Sequence, residues 1–306
     1  MAKPLNKTSY FKYILALLLF GSNGIVANHI SLSSYEIVFL RTLIGSLLLI
    51  ALFKLAGKKI DITKNKRHHF YLAISGIAMG ISWMFLYEAY QQIGVSIASL
   101  AYYCGPVIVM ILSPLLFKEK FTLPKIIGFL VVLCGLLLIN IQIQGIYDGN
   151  TTWGLFCGIM SAFMYAFMII FNKKAHSITG MRNSMLQLTI SFLTVAVFLG
   201  FRQGFVIQIS QGDWIPILIL GLINTGVGCY LYFSSIDKLS VQTVAIFGYL
   251  EPLSAVTFSV LFLREILQPI QVLGAILVIG GAVIAEGIFT STLLKIVFQF
   301  LSMNES

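Results

Sequence analysis

Apolar residues run along this chain in stretches of about twenty, from 11 to 289, divided by short clusters of glycine, proline, lysine and arginine. A helix rises 1.5 Å per residue, so about twenty apolar residues are what a ~30 Å hydrocarbon core requires. The runs lack the strict two-residue alternation of a barrel strand, and the pattern therefore predicts transmembrane α-helices. Ten are expected, near 11–30, 35–56, 70–92, 95–117, 123–141, 152–172, 183–202, 214–236, 240–263 and 267–288. The first follows Lys3, Lys7 and Lys12 and so imitates a signal peptide. It contains Asn23 and Asn28, lacks a small-x-small cleavage site and leads straight into the next run, so it reads as a retained helix. The stretch 291–301 is too short to span; it is expected to lie at the interface or to prolong helix ten.

Composition closes off a soluble fold. The chain of 306 residues is 58% hydrophobic and 10% charged, with a mean hydropathy of +0.94. A soluble domain carries about a quarter charged residues, enough to cover its surface; this chain does not. The net charge of +9 would suit nucleic acid, but its distribution does not. With a cytoplasmic N-terminus, seventeen of the 20 basic residues fall on the inner side, in the terminal segments and short loops. The outer segments hold only Arg202 and Arg264, and Arg41 lies within helix two. This positive-inside bias predicts a multi-pass protein of a bacterial inner (plasma) membrane with both termini cytoplasmic. Cys104, Cys134, Cys157 and Cys229 all lie in apolar runs without ligand spacing, so no disulfide, metal or other cofactor is expected. His29, His68 and His69 sit at helix ends and read as interface residues.

Sliding the chain by 146 residues aligns 95–140 with 241–286 without a gap, and nine of those 46 positions are identical. The kinds of residue matter more than the number. Pro106/Pro252, Ser113/Ser259, Glu119/Glu265, Gly128/Gly274 and Gly135/Gly281 keep register, with Lys118/Arg264 beside the glutamates and Gly80/Gly226 at the same offset. These residues break, cap or closely pack helices. Five helices per half is an odd number, so the second half is expected upside down. The predicted fold class is an all-α membrane protein of ten transmembrane helices, built as two inverted five-helix repeats. Their bounds are 1–145 and 146–290, with 291–306 a cytoplasmic tail. Inverted halves that exchange packings are a transporter architecture, giving alternating access.

The phrases Cys104-Gly105-Pro106, Lys118-Glu119-Lys120, Gly128 and Gly135, with Glu251-Pro252, Arg264-Glu265, Gly274 and Gly281, resemble the EamA-like branch of the drug/metabolite transporter superfamily. The resemblance covers about 12–287. It implies a substrate cavity between the halves and a small organic cargo, amino acids or similar metabolites first among them.

Charged and polar residues within the spans are the candidate chemistry, because an ionisable group in hydrocarbon is costly. Glu251 lies near mid-membrane beside Pro252, and its repeat partner is Gly105, so the fold does not require the charge. Either it titrates as a proton carrier or it holds a broken helix. Arg41 and Glu88 lie ~6–9 Å below the outer surface, where they could pair, meet the two ends of a zwitterion, or, for Arg41, snorkel. Asn23, Gln187 and Asn224 are mid-depth amides, a type that more often bonds a neighbouring helix than a ligand. Tyr102, Tyr103, Tyr165 and Tyr249 are deep phenols, whereas Tyr87, Tyr90 and Tyr232 read as belt residues. The candidate solute-binding set is thus Asn23, Arg41, Trp83, Glu88, Tyr102, Tyr103, Tyr165, Asn224, Tyr249 and Glu251. Pro106 and Pro252 are expected to free the carbonyls of Tyr102 and Gly248 and to act as gating points. The expected protein is a secondary-active or facilitative exporter, not an enzyme; a multi-pass enzyme and a channel are the alternatives. The expected partners are a small solute and the lipid bilayer, with a proton as candidate coupling ion, a homodimer as candidate assembly, and no nucleic acid.

Overall fold

A computed structural model describes residues 7–57, 65–102, 104–139, 151–251, 253–254, 257–258 and 269–285. Tyr103, Pro252, Arg264 and Glu265 lie outside the described residues, as does the stretch 291–301. Every regular element among the described residues is a helix. Six helical stretches are long and apolar enough to cross a membrane: Lys7–Ala27, Ser34–Leu55, Lys66–Ile93, Thr152–Lys174, Gly180–Arg202 and Gln211–Ile236. Shorter apolar helices follow at Cys104–Phe117, Leu123–Gly135 and Val272–Gly281.

Helix one is divided at Ser22 into α1 (Lys7–Gly21) and α2 (Asn23–Ala27). Next comes α3 (Ser34–Leu55), whose start is fixed by a capping box. Ser33 accepts the Glu36 N–H, and Glu36 accepts the Ser33 N–H at 2.9 Å. α4 (Lys66–Tyr102) is helical throughout, unlike the two separate runs expected there. Its packing shows the turn all the same. Along α7 (Thr151–Lys174), the Ser75 hydroxyl meets the Met168 carbonyl and that of Ser82 the Ser161 carbonyl, while Ile93 lies against Gly154. Ala101 then lies against Gly158, and Gly105 against Ala162 and Tyr165. The chain therefore runs antiparallel to α7 up to Ile93 and returns parallel to it from Ala98, a hairpin folded around one partner helix.

α4 is described as far as Tyr102 and α5 (Cys104–Phe117) from Cys104, with Tyr103 between them outside the described residues; α11 (Val241–Phe247) ends in a turn at Gly248 and Tyr249. Pro106 lies in α5. The Gly248 carbonyl is not free as expected: it accepts the Glu251 N–H at 3.1 Å.

The remaining elements are α6 (Leu123–Ile139), α8 (Gly180–Arg202), α9 (Trp214–Leu218), a π-helical stretch Ile219–Val227, α10 (Gly228–Ile236) and α12 (Pro269–Ala285). α6 and α12 cross antiparallel, backbone on backbone. A Cβ on Gly128 would stand 2.4 Å from the Gly281 carbonyl oxygen, and one on Gly135 would stand 2.6 Å from that of Gly274. No side chain fits there. Gly128 is offset-equivalent to Gly274 and Gly135 to Gly281, so each glycine faces its partner's partner. The same exchange recurs elsewhere: Gly80 packs on Ser191 while Gly226 packs on Gly45, and 45 + 146 = 191.

One end of the bundle gathers the loops near 118–122, 174–179 and 237–240 with the start of α4. Lys173 donates to the carbonyls of Ile236 and Leu239, Glu119 accepts from the Val241 and Gln242 amides, and Arg182 meets His69 at 2.9 Å. Just outside the spans, Asp237 accepts from the Gly180 N–H and Asn183, and burial pushes its carboxyl above the usual range. The opposite end holds Ser34, Glu88 and Arg202.

A candidate solute-binding centre

Arg41 is the most deeply placed cation of the bundle, 2% exposed. It projects from α3, whose apolar sequence allows the helix to sit in the interior, toward α4 and the π-helical stretch. Nε donates to Thr225 Oγ1 at 2.9 Å, and Nη1 donates to the Tyr87 hydroxyl. The Trp83 ring lies over the guanidinium at 4.5 Å, a cation–π contact. Nη2 is closed off from solvent and has no hydrogen-bond partner among the described residues. An orphaned buried N–H costs about 1–3 kcal/mol, and more on a charged group. Arginine cannot shed its proton to escape that cost.

The π-helical stretch explains how Thr225 comes to hold Arg41. Its wider turn lets the Thr225 hydroxyl donate to the carbonyl five residues back, Leu220, at 2.7 Å, so the oxygen is fixed before Arg41 reaches it. The neighbouring residue points the other way. Asn224 Nδ2 donates to the Leu19 carbonyl at 3.1 Å, to Ser22 Oγ at 2.8 Å and to Asn23 Oδ1 at 3.0 Å. These groups lie where helix one breaks. Asn23 and Asn224 thus bond one another across helices.

Glu88 does not meet Arg41. It accepts from Ser34 Oγ at 3.2 Å and Gln92 Nε2 at 3.0 Å, and Arg202 stacks on the Tyr35 ring at 4.2 Å. Glu88 therefore ties the start of α3 to α4.

Glu251 is deep in the bundle, within electrostatic reach of Arg41, Tyr13, Tyr87 and Tyr165, yet it keeps accessible surface. Its carboxyl takes no hydrogen bond from any described residue. The offset-equivalent Gly105 has no such room, since a Cβ there would stand 2.8 Å from the Tyr165 ring.

Phenols surround this point. Tyr102 meets Tyr165 edge-on at 5.3 Å, Tyr165 and Tyr232 bring their hydroxyls to 3.4 Å, and Tyr13 packs on Tyr232 at 5.2 Å. Tyr249 is fully buried and packs near Phe129 at 6.3 Å. The sequence placed Tyr87 and Tyr232 in the interfacial belt; both are buried, at 4% and 3% exposed. Their distance from a helix end was legible, but which face turned inward was not. Tyr13 and Thr225 escaped sequence reasoning altogether. Tyr13, whose hydroxyl donates to the Val244 carbonyl at 2.7 Å, stood beside a lysine near the expected start of a span.

The amides of α8 close a separate network. Asn172 and Asn183 exchange two 3.0 Å bonds, Asn172 also donates to Gln187, and Gln187 donates to Ser75 at 2.9 Å. Every amide there has its partner, as expected of helix-to-helix glue.

Apolar helices that shelter an arginine, a glutamate and a ring of phenols in their interior are the build of a membrane transport protein. The chain belongs to the EamA-like transporter family, which matches it twice, over residues 7–141 and 152–286. It is similar to the uncharacterized transporter YxxF of Bacillus subtilis, 27% identical over 280 residues, which span 90% of this chain and 88% of that one. An uncharacterized inner membrane transporter of Escherichia coli, YhbE, is 26% identical over 266 residues, 80% of each chain. A solved crystal structure shares the fold at a TM-score of 0.77 and 15% identity, covering 90% of this chain and 96% of that one.

Proposed function

We propose that this transporter exports amino acids or similar small metabolites by alternating access between two inverted five-helix halves, 1–145 and 146–290. The observation that carries the reading is the centre itself. Arg41 and Tyr165 come from different halves, and with Glu251 they offer a cation, a carboxyl that keeps accessible surface, and phenols able to line a small organic solute. The glycine exchanges support the inverted arrangement, because contacts that swap partners at a constant offset are what a two-fold axis between halves produces. The basic loops gathered at one end support cytoplasmic termini at that end. Coupling to protons is assigned to Glu251.

The test is counterflow into proteoliposomes preloaded with single unlabelled amino acids. Saturable uptake of the labelled counterpart, dependent on the preload, is the expected result. Flux that neither saturates nor needs a preload would replace the carrier with a channel, and consumption of solute would indicate an enzyme.

A further inference from the structure

We propose that the edge of the Arg41 guanidinium at Nη2 is the seat of the transported solute's carboxylate. This rests on the carrier reading above and narrows its cargo to carboxylate-bearing molecules. Two of the side chain's three nitrogens are anchored, Nε by Thr225 and Nη1 by Tyr87, which fixes the plane of the fork. Nη2 is left enclosed and unbonded by any described residue. Trp83 occupies the face of the guanidinium, so cargo must approach along its edge, where N–H groups and not π-density are offered. A planar carboxylate is the anion that matches such an edge in two parallel bonds.

Nothing in the fold asks for this charge. The residue 146 positions on from Arg41 is Gln187, and the exchange seen in the glycines holds here too: Arg41 touches Thr225, and Gln187 touches Met79, with 79 + 146 = 225. Gln187 fills that place as a neutral amide with its bonds satisfied. The protein's own carboxylates are otherwise placed. Glu88 is held by Ser34 and Gln92, and Glu251 stands within reach of Arg41 but forms no ion pair with it. A zwitterion set between them would lay its carboxylate on Arg41 and its ammonium toward Glu251. The enclosure of Nη2 marks this conformation as closed around the seat, and cargo reaches it when the helices part.

Trp83 makes the seat observable. In protein carrying Trp153→Phe and Trp214→Phe, reconstituted in nanodiscs, Trp83 is the one remaining tryptophan. Its emission is titrated with L-leucine, L-glutamine and L-phenylalanine, each beside its α-carboxamide, and with sodium acetate and sodium chloride. The expected result is a saturable shift with at least one acid and a response roughly ten- to a hundredfold weaker with its amide. Arg41→Gln abolishes the shift, and Arg41→Lys, which keeps the charge without the fork, retains part of it. The acid–amide comparison uses the intact arginine, so it holds whether or not the variants fold. Equal responses to acid and amide overturn the proposal. So does chloride acting as strongly as acetate, which would make this a seat for inorganic anions. Silence toward every acid while counterflow of one persists removes the carboxylate seat and leaves the carrier; loss of both removes the amino-acid reading as well.

Discussion

Glu119 and Val241 are joined by a 2.8 Å hydrogen bond in which the carboxylate accepts a backbone N–H 122 residues away in sequence. The second carboxylate oxygen takes the Gln242 N–H at 3.1 Å, so one side chain serves two free donors at the start of α11. Gln242 then bridges Lys125 at 2.7 Å and Ser113 at 3.1 Å. These bonds tie the α5–α6 corner to α11 and hold that end of the bundle shut. Glu119→Ala should loosen it by about 1–2 kcal/mol, the scale of a lost cap. Measured on a Ser113→Cys background, maleimide labelling should accelerate roughly tenfold. An unchanged rate would show that the closure lies elsewhere.

At the α6–α12 crossing the expected outcome is loss of the folded protein. Gly128→Val places atoms on the Gly281 carbonyl, and overpacking of this kind costs about 1–3 kcal/mol at least. Gly212→Val is the control, because nothing lies within 4 Å of a Cβ there. Thermal unfolding in detergent should separate the two; equal midpoints would mean the crossing yields easily.

Arg41 and Glu88 should act independently. Each has its own partners, so Arg41→Ala and Glu88→Ala are expected to add within about 0.3–0.5 kcal/mol in a double-mutant cycle on stability. A larger interaction energy would place the two side chains together in another conformation.

Glu251→Gln keeps shape and polarity but cannot titrate. If the carboxyl carries the coupled proton, uptake driven by a pH gradient disappears in this variant while counterflow continues. A native protein indifferent to the gradient would return Glu251 to a role in binding or in the broken helix.

Topology is open to a direct check with exposed positions. Lys120→Cys should be protected, and Gln203→Cys labelled, when intact cells meet an impermeant maleimide. The reverse pattern would invert the charge-based orientation.

The spans were legible because hydrocarbon thickness imposes one length scale on every helix, and the run from Gly180 to Arg202 announces itself in composition alone. Near Gly94 the sequence marked a division, and there the packing on α7 changes from antiparallel to parallel. What sequence could not supply was the partner of each polar group. Glu88 looked like a match for Arg41 by depth, but depth leaves azimuth unspecified, and the Ser34 and Gln92 side chains stand nearer to it. The π-helical stretch was equally hidden, because no residue type encodes a five-residue hydrogen bond; it arises where Thr225 and Asn224 must face different helices.

The crossing of α6 on α12 has a consequence for ancestry. Each half presents a glycine face that fits the face at the same place in the other half, set head to tail. A surface that fits its own counterpart is self-complementary. In the inverted arrangement proposed above, one such half needs no second gene to find a mate, only another copy of itself inserted the other way up. Joining two copies in one polypeptide fixes their orientations for good, and it releases the pair from having to be identical. Arg41 facing the bundle where its twin is Gln187, and Glu251 where its twin is Gly105, are what that freedom permits.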